Sequence, residues 1–333
     1  MTYKVCIIVP VYNVEKYIER CARSLFQQTF DDIQYVFVDD CTPDHSTEIL
    51  KQIIKEYPIR EKHTTIIKHN ENKGIGTTRA SGLSVVNADY ILYVDSDDCI
   101  ELNTIELIYN KAIKENADIV VCEFLKDWGN VSKIDAQSYS SDNKEYTKML
   151  LSGRVLPGVI NKLIKSSLYF EHKINFIQGI DMGEDFSVTP RLAYFAKKIA
   201  KVELPLYIYN QKNTNAYTKT YSYTAAISLM KAIEVLQNFF MSVPDYNDYF
   251  DSLLEGKLRK KILLLMELSS DDRRKIGLIY PETNRIISNT KLTLPEKIAI
   301  LFCNKGWYPL LDLFLILYKN LLEFIQILKG RRK

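Results

Sequence analysis

Over about the first 122 residues, short β-branched runs alternate with longer segments of helical spacing, and this rhythm constrains the fold more than any other feature of the chain. "KVCIIVPVY" reads as strand, 14–28 as helix, "IQYVFVD" as strand and 44–56 as helix; then "TTIIKHN" as strand, 75–86 as helix, "YILYVD" as strand, 101–115 as helix and "ADIVVCEF" as strand. Strands joined by crossover helices form a mostly parallel sheet with helices on its faces, and strands buried on both sides read as continuous apolar runs. The spacing predicts an α/β fold, and in such sheets ligands gather outside the carboxyl ends of the strands. The strands end in Pro10-Val11-Tyr12-Asn13, Asp39-Asp40, Asn70-Glu71-Asn72-Lys73 and Asp95-Ser96-Asp97-Asp98, so polar groups converge on one edge.

The last of these is the densest. A D-x-D directly after a buried strand puts two carboxylates on one side of an extended chain, where they can share a divalent cation. Hard oxygen ligands suit Mg2+ or Mn2+, which complete their shell with water and substrate phosphates. The competing reading is that Asp97 and Asp98 cap a helix beginning near Glu101. A second acidic pair, Asp39-Asp40, at another strand end favours the ligand site.

Composition removes several classes. The 44 basic and 41 acidic residues leave a net charge of +3, which gives no reason to expect nucleic acid as a partner. Six cysteines without a CxxC pair fit reduced thiols in the cytoplasm, and four histidines without HExxH spacing give no zinc site. The apolar run before Pro10 is too short for a signal peptide or a spanning helix. "GIGTTRASG" lacks the third glycine of a dinucleotide loop, since Arg79 occupies that place, and it follows the third strand rather than the first.

"IIVPVYNVEKYIERCARSLFQQTF", "YVFVDDCTPDHSTEIL", "NENKGIGTTRASGL" and "YILYVDSDDCIEL" resemble, in order and interval, the signature segments of family 2 glycosyltransferases with the GT-A fold; "GEDF" at 183–186 resembles the family's Glu-Asp element. The resemblance spans about residues 4–125 and thins beyond about 210. It implies that Pro10, Val11, Tyr12, Asn13 and Asp39 contact the base and ribose of a nucleotide sugar, with Lys73 or Arg79 near the nucleotide. It implies further that Asp95, Ser96 and Asp97 form the D-x-D, Asp95 and Asp97 holding ribose and metal (Mn2+ or Mg2+), and that Asp185 is the catalytic base of an inverting transfer. Asp185 also opens an apparent helix, "EDFSVTPRLAYFAKK", where it could equally be a cap. Asp44, in "DDCTPD" with Cys41 and Pro43 departing from the family's commoner Gly-Ser, reads as an N-cap as readily as a ligand contact.

The expected activity is transfer of a sugar from a nucleotide diphosphate, UDP in the first instance, to a glycan or lipid-linked acceptor of the bacterial cell surface. A nucleotidyltransferase or a non-catalytic sugar-nucleotide-binding module are the other classes. The expected division is a donor half (1–125), an acceptor half (126–218) opening on an irregular polar excursion up to about 150, and a helical region (219–333). "NKLIKSS" and "YIYNQKNTNAY" resemble acceptor-side segments, or are strand and surface loop. In "PLLDLFLILYKNLLEFIQILKGRRK", Asp312, Lys319, Glu323 and Gln326 form a narrow polar stripe on an otherwise apolar helix, followed by Lys329, Arg331, Arg332 and Lys333. That pattern suits peripheral contact with an anionic membrane, with packing on the core or in a homodimer as the alternatives.

Overall fold

The computed structural model describes residues 2–213, 221–276 and 278–330, without the side chains of 326–330. Gln326, Lys329, Arg331, Arg332, Lys333 and the last residues of "YIYNQKNTNAY" thus lie wholly or in their side chains outside the described residues. In the first part, β1 (Tyr3–Val11), β2 (Ile33–Asp39), β3 (Thr64–Lys68), β4 (Ala88–Tyr93), β5 (Cys99–Ile100) and β6 (Ile119–Asp127) alternate with α1 (Ile18–Phe26), α2 (Ser46–Glu56), the single turn α3 (Pro58–Glu61), α4 (Gly74–Leu83) and α5 (Thr104–Glu115). The apolar runs are buried for the expected reason. Val5–Val11 of β1 and all of β2 are enclosed, because β1 lies between β2 and β4 with parallel partners on both sides, Val11 opposite Asp39 and Ile8 opposite Tyr93.

The sheet order is β3-β2-β1-β4, continued by β8 (Lys162–Lys165), β6, β9 (Ile199–Asn210) and β5, with β7 (Ser132–Asp135) paired to β6. The chain steps outward from β1 to β3 and then returns to the other side of β1, so the switch point falls between β1 and β4, where α/β sheets bind ligands. β8 enters antiparallel between β4 and β6, so the parallel half is followed by a mixed one. The polar excursion after 125 is more ordered than its composition indicates. It holds β7 and α6 (Asn143–Leu151), whose Asp142 cap accepts from the Glu145 N–H at 2.7 Å and whose Tyr146, Thr147, Leu150 and Leu151 are buried. The expected boundary at 125 lies inside β6, and one hydrophobic core runs from Val5 to Tyr207.

After α7 (Ser166–Glu171) and α8 (Glu184–Phe195), the tail folds as α9 (Tyr223–Ser242), α10 (Phe250–Glu267), α11 (Ser270–Ile276), α12 (Leu294–Asn304) and α13 (Tyr308–Gly330). Leu151 and Phe186 join Ile233, Leu236, Phe240 and Leu253 in one cluster, fastening these helices to the sheet domain. No helix among the described residues is long and apolar enough to cross a membrane.

Gly76 explains why the "GIGTTRASG" segment carries glycine without being a phosphate loop. A Cβ there would stand 2.4 Å from the Ile180 carbonyl oxygen, so the loop before α8 can lie on α4 only if position 76 has no side chain. Gly76→Ala is expected to lower unfolding stability by about 1–3 kcal/mol in urea titration; an unchanged midpoint would show that the loop yields at no cost.

Candidate active site

Three strand ends and the start of α8 meet at the switch point. Asp39, buried at the end of β2, accepts the Thr42 N–H at 2.8 Å, and Thr42 Oγ1 in turn accepts the Asn13 N–H at 2.8 Å, with Asn13 in the left-handed region at φ 55°. The β1 and β2 loops are thereby tied together below the exposed Tyr12, while Pro10 and Val11 remain in the buried sheet opposite Val38 and Asp39. Asp40 works on the other side. Its carboxylate pairs with His69 Nδ1 at 2.6 Å and accepts the N–H groups of Lys73 and Gly74 at 2.9 and 3.0 Å, anchoring the start of α4; the Lys73 side chain itself is exposed. Asp44 accepts from Ser46 N, Thr42 Oγ1 and Glu15 N, so it closes the start of α2 rather than facing the cleft.

Arg79 joins the two halves of the site. Its side chain is 3% exposed, with Nη2 donating to Asp95 Oδ1 at 2.9 Å and Nη1 donating to Glu184 Oε1 and Asp185 Oδ1, both at 2.6 Å. The expectation that Arg79 or Lys73 lies near the nucleotide thus meets an Arg79 that is enclosed by carboxylates. One guanidinium faces three acids. Burial pushes the Glu184 carboxyl up to about 8, with Asp185 adding to the shift and Arg79 opposing it. Burial likewise raises Asp185, against the pull of Arg79. Asp185 Oδ2 accepts the Val159 N–H at 3.2 Å, so both of its oxygens are oriented, and its side chain keeps 17% exposure. The N-cap of α8 is Gly183 at φ 84°, and Asp185 bonds to Arg79 instead of capping its own helix.

Asp95 and Asp97 are partly exposed, whereas Ser96 and Asp98 are buried. α5 begins at Thr104 after Asn103, so Asp97 and Asp98 are not its caps. Asp98 is structural: Tyr207 donates to Oδ2 and the Asn210 N–H to Oδ1, each at 2.7 Å, and burial followed by Asp97 and Asp95 holds its carboxyl well above the usual range. Asn210 Nδ2 donates to the Asp97 carbonyl and Asn213 Nδ2 to Asp97 Oδ2 at 2.8 Å. Tyr207, Asn210 and Asn213 escaped the sequence reading as partners of the D-x-D, although "YIYNQKN" contains them; the β5–β9 pairing that brings them there, Ile100 opposite Tyr207, has no local signature.

"NKLIKSS" holds the strand β8, as one of its two readings expected. Asn161 and Lys162 are buried, and Lys162 Nζ donates to the carbonyls of Leu156 and Gly158 at 3.1 and 2.7 Å, fixing the loop that gives its Val159 N–H to Asp185. Burial lowers the Lys162 ammonium to about 8.

Among the described residues no group of three or more His, Cys, Asp or Glu side chains is disposed to hold a metal ion. The donors at the D-x-D are two oxygen-bearing side chains, Asp95 and Asp97. That set fits a hard divalent ion that draws the rest of its shell from water and phosphate, and does not fit a closed structural site.

The family model for glycosyl transferase family 2 matches residues 6–164. EpsH of Bacillus subtilis (strain 168), named as a glycosyltransferase, is 34% identical over 215 residues, 62% of this chain and 61% of its own length. The chain spans less than two thirds of that relative. The crystal structure of S. aureus TarS 1-349 in complex with UDP-GlcNAc superposes with a TM-score of 0.58 at 19% identity, over 79% of this chain and 84% of that one. The mannosyltransferase PcManGT from Pyrobaculum calidifontis, in complex with GDP-Man and Mn2+, gives 0.52 at 14% over 97% and 88%.

Proposed function

We propose that this chain, which matches the family 2 glycosyltransferase model over residues 6–164 and shares the GT-A fold, transfers a sugar from a nucleoside diphosphate, UDP in the first instance, to a hydroxyl of a glycan or lipid-linked saccharide of the bacterial cell surface, with inversion. The observation that carries this is the Arg79 bridge, which holds a carboxylate of the D-x-D and a second, oriented carboxylate on one guanidinium. In this reading 1–125 is the donor half, 126–218 the acceptor half and 219–333 the helical region. Pro10 to Asn13 and Asp39 shape the base and ribose end, with Lys73 at its rim and Ser96 backing the turn. Asp95 and Asp97 would hold Mn2+ or Mg2+, which when bound supplies Lewis-acid stabilisation of the leaving diphosphate.

Asp185 takes the proton of the acceptor hydroxyl as its oxygen forms the new bond to the anomeric carbon and the bond from that carbon to the diphosphate breaks. The raised pKa of a buried carboxyl strengthens it as a base. UDP is favoured by the TarS complex with UDP-GlcNAc; the GDP-Man complex of PcManGT makes GDP the next nucleotide to assay. The test is product analysis with UDP-, GDP- and dTDP-sugars and Mn2+ in the presence of saccharide acceptors. Free nucleoside diphosphate with a β-linked product from an α-linked donor is expected. Pyrophosphate release from a nucleoside triphosphate would instead make the protein a nucleotidyltransferase.

A further inference from the structure

The helix α13 is amphipathic, and Asp312 and Lys319 of its charged stripe pair with the protein, while Glu323 is exposed. Leu311 and Leu315 are buried on α10 and α12. Beside them Asp312 receives Arg273 and, at 2.9 Å, Arg274, along with the Ser270 hydroxyl, and Lys319 reaches Glu267 at 3.5 Å. At 100° per residue Asp312 and Lys319 fall within about 20° of each other, on the flank already docked. The far side is apolar. Leu310, Leu313, Leu317, Leu321 and Phe324 are each between 49 and 60% exposed, Ile316 is exposed next to them, and Asn320 is the one polar residue on an arc of about 140°. Trp307, immediately before the helix, is 47% exposed, and Leu301 of α12 adds to the same kind of surface. An outward apolar stripe of this kind marks an interaction surface.

Charge identifies that partner. Residues 291–333 hold eight basic and three acidic side chains, a local +5 in a chain whose total is +3, so the preceding 290 residues sum to −2. Lys291, Lys297 and Lys305 are exposed, and the sequence places Lys329, Arg331, Arg332 and Lys333 directly after the apolar stripe. We propose that α13 lies in the plane of an anionic lipid surface, with Leu310, Leu313, Leu317, Leu321 and Phe324 in the acyl boundary and the basic excess of residues 291–333 drawing it to the headgroups. A second copy of the chain fits less well, because it would bring another +5 against the first. Among the described residues α13 is not long and apolar enough to cross a membrane.

The inference is independent of the active-site reading and is tested on the full chain by co-sedimentation. Vesicles of equal parts phosphatidylglycerol and phosphatidylcholine are expected to retain the protein, phosphatidylcholine alone to retain much less, and raised salt to release it. Leu313→Glu combined with Leu317→Glu should weaken retention about tenfold or more, with the thermal midpoint preserved because both positions are exposed. Two outcomes overturn the proposal: retention by the double variant equal to wild type, and no retention on either vesicle. Light scattering that finds a lipid-free dimer, dissolved by the same two substitutions, would overturn it in favour of a second copy.

Discussion

Asp185→Asn is expected to lower kcat by about 10²- to 10⁴-fold while the dissociation constant for the donor nucleotide stays within about twofold. The substitution keeps the shape of a side chain whose oxygens face Arg79 and the Val159 N–H, so the fold around α8 should hold and the loss should fall on proton removal. The pH dependence supplies a second readout. A base must be ionised to act, so the rate falls as pH drops through the pKa of Asp185, which burial holds above the ordinary carboxylate range. Glu184 competes with Asp185 and Asp95 for the single guanidinium of Arg79. In Glu184→Gln, Arg79 serves two carboxylates instead of three, the ionised form of Asp185 is favoured, and the acid limb of the rate profile should move to lower pH. Normal turnover by Asp185→Asn would remove it as the base, and an acid limb unmoved in Glu184→Gln would show that the three acids do not titrate together.

The parts of this site that were legible in the sequence are those with local causes. Buried parallel strands must be apolar along their length and must stop where the chain leaves the sheet, so Asp39 and Asp95 to Asp98 could be placed at one edge from the run lengths alone. Partnerships were not legible. Arg79 meets Asp185 across 106 residues and Asp98 meets Tyr207 across 109, and no period of 2 or 3.6 encodes a contact at that range. β8 could be read as a strand, but its place between β4 and β6 could not, for a related reason. It is four residues long, begins with a buried lysine and pairs antiparallel, so it has none of the apolar continuity that marked its neighbours. Its Lys162 looks like a surface residue until the carbonyls of Leu156 and Gly158 are seen to surround it. The tail shows the same limit at larger scale: helical spacing revealed a polar stripe on α13, but which side of the helix meets the protein depends on Arg273 and Arg274, some forty residues earlier.

The two acidic neighbours Asp97 and Asp98 should separate in a single pair of experiments. Asp98 has both oxygens engaged by Tyr207 and the Asn210 N–H in a buried setting, so Asp98→Ala leaves donors without acceptors and should cost about 3 kcal/mol of stability whether or not ligand is present. Asp97 is only partly buried, and Asp97→Ala should leave the unliganded midpoint nearly unchanged. With ligand the order reverses. A nucleoside diphosphate at about 100 times its dissociation constant adds roughly 2.7 kcal/mol to wild type, a shift of several degrees. If Asp97 and Asp95 share a divalent ion with the diphosphate, that shift requires both Mn2+ and nucleotide and disappears in Asp97→Ala, with transfer lost alongside it. Asp98→Ala, measured from its own lower starting point, should retain most of the shift, because its carboxylate faces Tyr207 and not the cleft. A full metal-dependent shift in Asp97→Ala would move the ion to other ligands and leave the D-x-D with a purely architectural role.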